Sequence, residues 1–347
     1  MSSATNKQAY PHPHVRTEWL AKVREDIIEP ELPIIDPHHH LWHDRPSGRY
    51  LMEELLADLN SGHNVVATVF MQCGWQHRAD GPEDFRPVGE TVVVNAVAVL
   101  SASGAYGKPR ACAGIVGFAD LRSRQLDAVL EAHVAAGGGR FRGIRHIVAW
   151  DDAIVPTTSV VPPPGLIHDP AFVRGVQRLG ELGFSFDAWL YHPQLKDLLT
   201  VARAAPGTAI VIDHVGGPLG VGPYRGKRDA VFKSWSADMK ALAGCPNVHV
   251  KLGGLAMPVN GFDYHNDALP PSSARMAEDW TPWIETCITL FGAERCMFES
   301  NFPVDKGMCS YPVLWNAFKR MAAGASAQDK AALFHDTAAR FYRLATV

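Results

Sequence analysis

An α/β fold, the (β/α)8 or TIM barrel, is predicted by two features of the chain. Eight short runs of apolar and β-branched residues alternate with longer segments of helical period, the pattern of repeated β-α units on a parallel sheet. Three long connections, 73–90, 149–168 and 254–273, are rich in Pro, Gly and aromatic residues. Each follows a strand, as loops at the catalytic end of such a barrel do. Size agrees, since 347 residues that are 47% hydrophobic can build one large core.

Residues 1–30 lack either hydrophobic period and include Tyr10-Pro11-His12-Pro13-His14. They read as an arm wrapping the domain or a partner, ahead of a barrel over 31–347. The first strand is expected at 34–38, followed by a helix at 52–60. The second, 65–72, has hardly a polar residue until its end, as a strand buried on both faces should. The third, 111–118, leads into a helix at 123–136 that Gly137-Gly138-Gly139 closes. The fourth is 141–148. Strands five to eight fall at 184–190, 209–214, 248–252 and 296–301, with helices at 171–182, 194–204, 229–243 and 274–290. Two more helices end the chain.

A formal charge of −3 with scattered Lys and Arg offers no basic stripe for phosphates, so nucleic acid is not an expected partner. No apolar run reaches the length of a membrane span, and no charged start leads into an apolar segment. A cytoplasmic protein without a membrane partner is expected. Six widely spaced cysteines without a C-x-x-C pair read as reduced core residues. The arm and the outer helical ring would suit a homodimer.

Asp36-Pro37-His38-His39-His40 ends the first strand, where period-two alternation turns His38 and His40 to one side. Two converging imidazoles can bind a metal or move protons near neutral pH. The competing reading is a packed, hydrogen-bonded strand end. Arg142 and Arg145 lie on the fourth strand, and a guanidinium fork can grip a carboxylate through two parallel bonds. Arg142 could equally make a salt bridge at the barrel rim, and His146 should face away from the centre. Gln72 and Trp75 follow the second strand, Trp189 and Tyr191 the fifth, and His265 lies in the loop after the seventh. Together with nearby aromatics they read as walls for a flat or ring-shaped substrate, although each alone packs as readily in a core. Lys251 either stabilises a carboxylate or oxyanion, or pairs with Glu299.

Four segments together resemble the amidohydrolase-2 group of the amidohydrolase superfamily, over residues 33 to about 343. They are D-x-H-x-H at the first strand, Ile212-Asp213-His214-Val215-Gly216-Gly217-Pro218 at the sixth, Lys251-Leu252-Gly253-Gly254 at the seventh and Arg295-Cys296-Met297-Phe298-Glu299-Ser300-Asn301-Phe302-Pro303 at the eighth. That group includes 2-pyrone-4,6-dicarboxylate lactonase, sulfomuconolactonase and fuconolactonase. The resemblance implies a hydrolase that adds water to the lactone or related ester carbonyl of a small, carboxylated or ring-shaped substrate. It further implies that His38, His40 and His214 bind a metal or polarise the carbonyl, and that Arg145 anchors a substrate carboxylate.

The chain departs from the group at the eighth strand. Most relatives carry an Asp there, in a G-S-D-W-P context, as general base and often as metal ligand. Asn301 stands in its place, and a carboxamide cannot accept a proton at neutral pH. Glu299, two residues earlier on the same face, and Asp305, on the following loop, are the candidate replacements. Glu299 could instead pair with Lys251, and Asp305 could simply start a helix. The departure leaves two options for the cofactor, a divalent Zn²⁺ or Mn²⁺ on His38, His40 and His214, or none. Zn-dependent decarboxylation and amide (C–N) hydrolysis are alternatives on the same barrel. A non-catalytic ligand-binding homologue is a further reading, against which the three converging imidazoles argue.

Overall fold

A computed structural model describes residues 7–156, 158 and 160–345. Eight parallel strands form one sheet: β1 (Ile34–His39), β2 (Val65–Met71), β3 (Arg110–Gly117), β4 (Phe141–Ile147), β5 (Ser185–Trp189), β6 (Ile210–Ile212), β7 (Val248–Leu252) and β8 (Cys296–Phe298). Neighbours in the sheet are neighbours in sequence. The last strand returns to the first through His40 N–H to Phe302 O, 2.7 Å, and Asn301 N–H to His38 O, 2.9 Å. Those bonds curl the sheet into the predicted barrel. They also set the ends of β1 and β8 side by side, where the histidines and Asn301 lie.

The outer ring comprises α1 (Met52–Leu59), α2 (Val88–Ala102), α3 (Leu126–Ala136), α4 (Pro170–Glu181), α5 (Leu195–Ala204), α6 (Arg228–Ala243), α7 (Ser273–Phe291) and α8 (Tyr311–Met321), with a final helical segment over 327–341. The sequence reading placed no helix at α2 and ended a long connection inside it. Its Val-Val-Val run is β-branched, and apolar residues surround the helix, so no polar stripe marks a helical period. Val88, Val94 and Ala98 are buried while Val92 and Val99 are exposed. The segment Glu83–Ala102 is long and apolar enough to cross a membrane by composition, but its buried side packs on β3.

Two strands stop two or more residues earlier than expected, β6 before His214 and β8 before Glu299. His214 and Asn301 take left-handed φ values of 55° and 54°, which end the extended backbone. A hairpin that the sequence reading did not place, Trp42–Arg45 paired antiparallel with Gly48–Tyr50, follows β1.

Layers fill the barrel from its N-terminal end. Ile35, Val69, Met71, Val116, Val211 and Met297 pack with Phe341 and Tyr342 of the C-terminal helical segment, forming an apolar plug. A charged layer of Asp187, Asp213, Lys251 and Arg145 lies above it, and His38, Glu299, His214 and His40 above that. Residues 7–16 run as a strap over the catalytic end. Gln8–Ala9 pairs in parallel with Ile154–Val155, and Val15 N–H reaches Ser47 O at 3.0 Å.

Candidate active site

Glu299 ties the site together. Its Oε1 accepts from the His214 backbone N–H at 3.1 Å and from His214 Nδ1 at 2.7 Å, and its Oε2 lies 2.8 Å from His38 Nδ1. The local sequence makes room for this. A Cβ on Gly253 would stand 2.5 Å from Glu299 Cγ, and one on Gly254 2.4 Å from the His214 ring. Burial alone would raise the Glu299 carboxyl, but His214 and His38 hold it well below the usual carboxylate range.

His40 Nδ1 meets the Met71 carbonyl at 2.9 Å. His40 and His214 therefore face a fixed acceptor through Nδ1, which assigns the proton there and leaves each Nε2 lone pair open, whereas His38 Nδ1 stands between Glu299 Oε2 and the donor Lys251 Nζ at 3.2 Å. His38 Nε2 and His40 Nε2 stand 3.2 Å apart. His40 Nε2 brings a lone pair to this contact, so either a proton on His38 Nε2 or a cation between the two nitrogens completes it. Burial, then the charge on Lys251, pushes His38 down to about 4, and burial holds His40 well below its ordinary value. An imidazolium at either ring is thus disfavoured at neutral pH. The separation also matches two nitrogens on one tetrahedral ion at about 2.0–2.1 Å each, so the pair fits a divalent metal. Donor atoms of His38, Asp213 and His214 also lie within 4.8 Å of one another.

Lys251 forms no ion pair with Glu299 among the described residues. Its Nζ lies 2.9 Å from Asp187 Oδ2, 3.0 Å from Asp213 Oδ1 and 3.2 Å from His38 Nδ1. It is fully buried beneath His38 and outside the cavity lining. Burial raises Asp213, yet Lys251, His38 and Arg145 hold it well below the usual range. Arg145 reaches Asp213 Oδ2 through Nε at 2.9 Å and the Gln72 carbonyl through Nη1 at 3.2 Å.

Above this layer opens a cavity of about 570 Å³, its mouth included, of a size that suits a small ligand. His40, His214 and Asn301 face it from the barrel, with Trp42, Trp189 and Tyr191 as an aromatic wall and Met257 and Val259 opposite. Arg145, Arg45, His12 and Thr158 complete the polar lining. No carboxylate lines it among the described residues. Asn301 Nδ2 donates to Asp305 Oδ1 at 2.8 Å, and Asp305 Oδ2 accepts from Ala256 N–H at 3.1 Å. Burial pushes Asp305 well up, and it stands behind Asn301. Neither candidate replacement carboxylate meets the cavity, and Glu299 acts on it only through His214.

Other expected site residues lie elsewhere. Arg142 sits toward the N-terminal end of β4, three residues short of Arg145, with Nη1 on the Gly139 and Phe141 carbonyls at 2.7 and 3.0 Å. It makes neither the substrate contact nor the rim salt bridge. Trp75 Nε1 bonds His43 Nδ1 at 2.8 Å, and His265 Nδ1 meets Met308 Sδ at 3.3 Å; both stand outside the lining. Gln72 supports Arg145 from behind. The residues that sequence reasoning missed are Asp187, Asp213, Trp42, Arg45 and His12. An Asp in the middle of an apolar strand was a legible signal for Asp187. His12 had none, because the strap has no periodicity.

The amidohydrolase family model matches residues 35–344. The uncharacterized protein y4mH of Sinorhizobium fredii is 32% identical, over 90% of this chain and 99% of its own length. An L-fucono-1,5-lactonase of Burkholderia multivorans is 28% identical, over 89% of this chain and 96% of its own. The crystal structure of a Burkholderia multivorans amidohydrolase with bound zinc shares the fold, with a TM-score of 0.70 at 24% identity, covering 90% of this chain and 99% of that one. On the family match and the y4mH likeness, this chain belongs to the amidohydrolase family.

Proposed function

We propose that the protein is a lactonase that adds water to the carbonyl of a small lactone, with His214 as the proton acceptor. The observation that carries this is the Glu299 bridge between His214 Nδ1 and His38 Nδ1. A buried carboxylate behind an imidazole fixes its tautomer and stabilises the imidazolium that forms when Nε2 takes a proton. Asn301 then holds the water or a substrate hydroxyl, and Asp305 keeps its amide aimed. Arg145, already neutralised by Asp213, offers its remaining N–H edge to a substrate oxygen. Trp42, Trp189 and Tyr191 bury the ring. Zn²⁺ or Mn²⁺ held by His38 and His40 would supply Lewis-acid polarisation of the carbonyl and a more acidic water. The lactonase name of a relative matching most of this chain supports the substrate class. Six free, buried cysteines support a reducing, cytoplasmic compartment.

Elemental analysis of the purified protein, paired with hydrolysis of sugar and carboxylated lactones before and after chelation, tests the proposal. About one equivalent of Zn²⁺ or Mn²⁺ and lactone opening that chelation abolishes are expected. His214→Asn should lower kcat by about 10²- to 10⁴-fold. Release of CO₂ or of an amine from suitable substrates, with every lactone left intact, would sink the lactonase reading.

A further inference from the structure

The strap brings a polar group to the cavity that the mechanism above does not use. It is pinned at several points along its length. Lys7 Nζ sits 3.4 Å over the Trp150 ring, His14 Nδ1 meets Pro46 O at 3.2 Å, and Arg16 donates to the His265 carbonyl at 2.6 Å. At Gly307 the approach is so close that a Cβ would stand 2.6 Å from Pro13 O. Between these anchors His12 points into the cavity. Its Nδ1 is buried and has no hydrogen-bond partner among the described residues, a condition that proteins rarely leave uncompensated.

Across the same cavity stands Arg45, delivered by the Trp42–Arg45 hairpin strand. It donates to the Cys73 carbonyl and lies 4.9 Å over the Trp42 ring. Among the described residues no carboxylate pairs with it. Arg145, by contrast, has its charge met by Asp213. The cavity thus holds one cation with no carboxylate within ion-pair distance among the described residues and, facing it, one buried imidazole with no partner; the charge nearest Arg45 in effect is the buried Glu90 carboxyl. Burial first, and Arg45 second, keep His12 down to about 4, so at neutral pH it carries a single ring N–H and no charge.

We propose that His12 and Arg45 form a clamp for a carboxylate carried by the substrate at the end remote from the reacting carbonyl, so that the N-terminal strap is part of the active site. The clamp rests on the lactonase reading and narrows it to lactones bearing an anionic substituent. Arg45 supplies charge, and His12 supplies a directed N–H that fixes the carboxylate plane. A neutral lactone of the same ring size leaves both groups unmatched.

The test compares the γ-lactone of hydroxyglutaric acid, which keeps a free carboxylate, with γ-valerolactone, which has none. Binding of hydroxyglutarate to the full-length protein is followed by calorimetry. His12→Ala and Arg45→Gln should each raise KM for the acidic lactone and Kd for hydroxyglutarate by about tenfold or more. The loss for γ-valerolactone should be smaller, so that the ratio of kcat/KM for the acidic over the neutral lactone falls by about tenfold. His12→Asn, which keeps a donor near the Nδ1 position, should recover most of the loss. The clamp is overturned if His12→Ala, folded with an unchanged Tm, binds hydroxyglutarate as wild type does. It is also overturned if that variant weakens both lactones equally, or if the wild type does not bind hydroxyglutarate. Wild type that opens neither lactone counts against the lactonase reading alone, because the shift in Kd still decides the clamp.

Discussion

Glu299 bonds His214 through Oε1 and sets Oε2 2.8 Å from His38 Nδ1, so its value lies in charge and shape together. In Glu299→Gln the amide oxygen can keep the His214 Nδ1–H bond, but the negative charge that would stabilise a His214 imidazolium is gone. The variant is expected to fold and to lose about 10²- to 10³-fold in kcat with little change in KM, as steady-state kinetics with circular dichroism would show. Asn301 and Asp305 allow a sharper test, because their hydrogen bond has a direction. Asn301→Asp sets acceptor against acceptor inside the protein and should cost about 1–3 kcal/mol. The exchanged pair, Asn301→Asp with Asp305→Asn, reverses the bond and should recover most of that in denaturant unfolding, in the manner of a double-mutant cycle. The Asn301 departure was legible in the sequence, and so was Glu299 as the compensating carboxylate. That Lys251 would pair with Asp187 and Asp213 was not, since the partner of an inward side chain depends on what stands across the barrel.

At the scale of elements, the turn after β7 is where sequence and site meet most tightly. Gly253-Gly254 gives Glu299 and His214 the space that any Cβ would fill, and Gly254 has φ of 67°. Gly254→Ala should cost about 1 kcal/mol in stability from backbone strain. By displacing the His214 ring it should also lower kcat by about 10²-fold. A variant that loses activity only in proportion to its unfolded fraction would show that the ring has not moved. The strands were readable because burial on both faces leaves unbroken apolar runs, and their C-terminal polar residues marked the catalytic end. The helix Val88–Ala102 escaped because its composition is that of a strand and its length alone distinguishes it. The hairpin that carries Trp42 and Arg45 and the strap that carries His12 are held by contacts distant in sequence, which no local pattern encodes.

The whole molecule buries histidines well beyond the reacting centre, and this should govern its response to acid. His39 is pushed down to about 3, and His133 and His146 to about 4, in each case chiefly by burial. Their unfolded value is near 6.5, so a depressed folded value makes stability complete above that pH and erodes it as pH falls toward 4. His133 and His146 can each contribute up to about 3 kcal/mol of that loss, and His39 up to about 5 kcal/mol. Buried acids act in the opposite sense. Burial raises Asp36 to about 6 and Glu90 to about 7, so their favourable term is full below the unfolded carboxyl range and is lost as pH rises through those values. The cavity histidines His12, His38 and His40 are lowered too, so the imidazoles outnumber these two acids. Tm is therefore expected to fall between pH 7 and pH 5. His146 isolates the cause, because it packs between Phe118 and Phe172, with ring centroids at 5.0 and 5.1 Å, outside the catalytic cavity. A phenyl ring fits that sandwich and cannot take a proton. Scanning calorimetry of His146→Phe should show a shallower fall of Tm with acid than wild type shows. Parallel Tm curves for the two proteins would mean that His146 binds its proton as readily folded as unfolded, and that the acid sensitivity arises elsewhere.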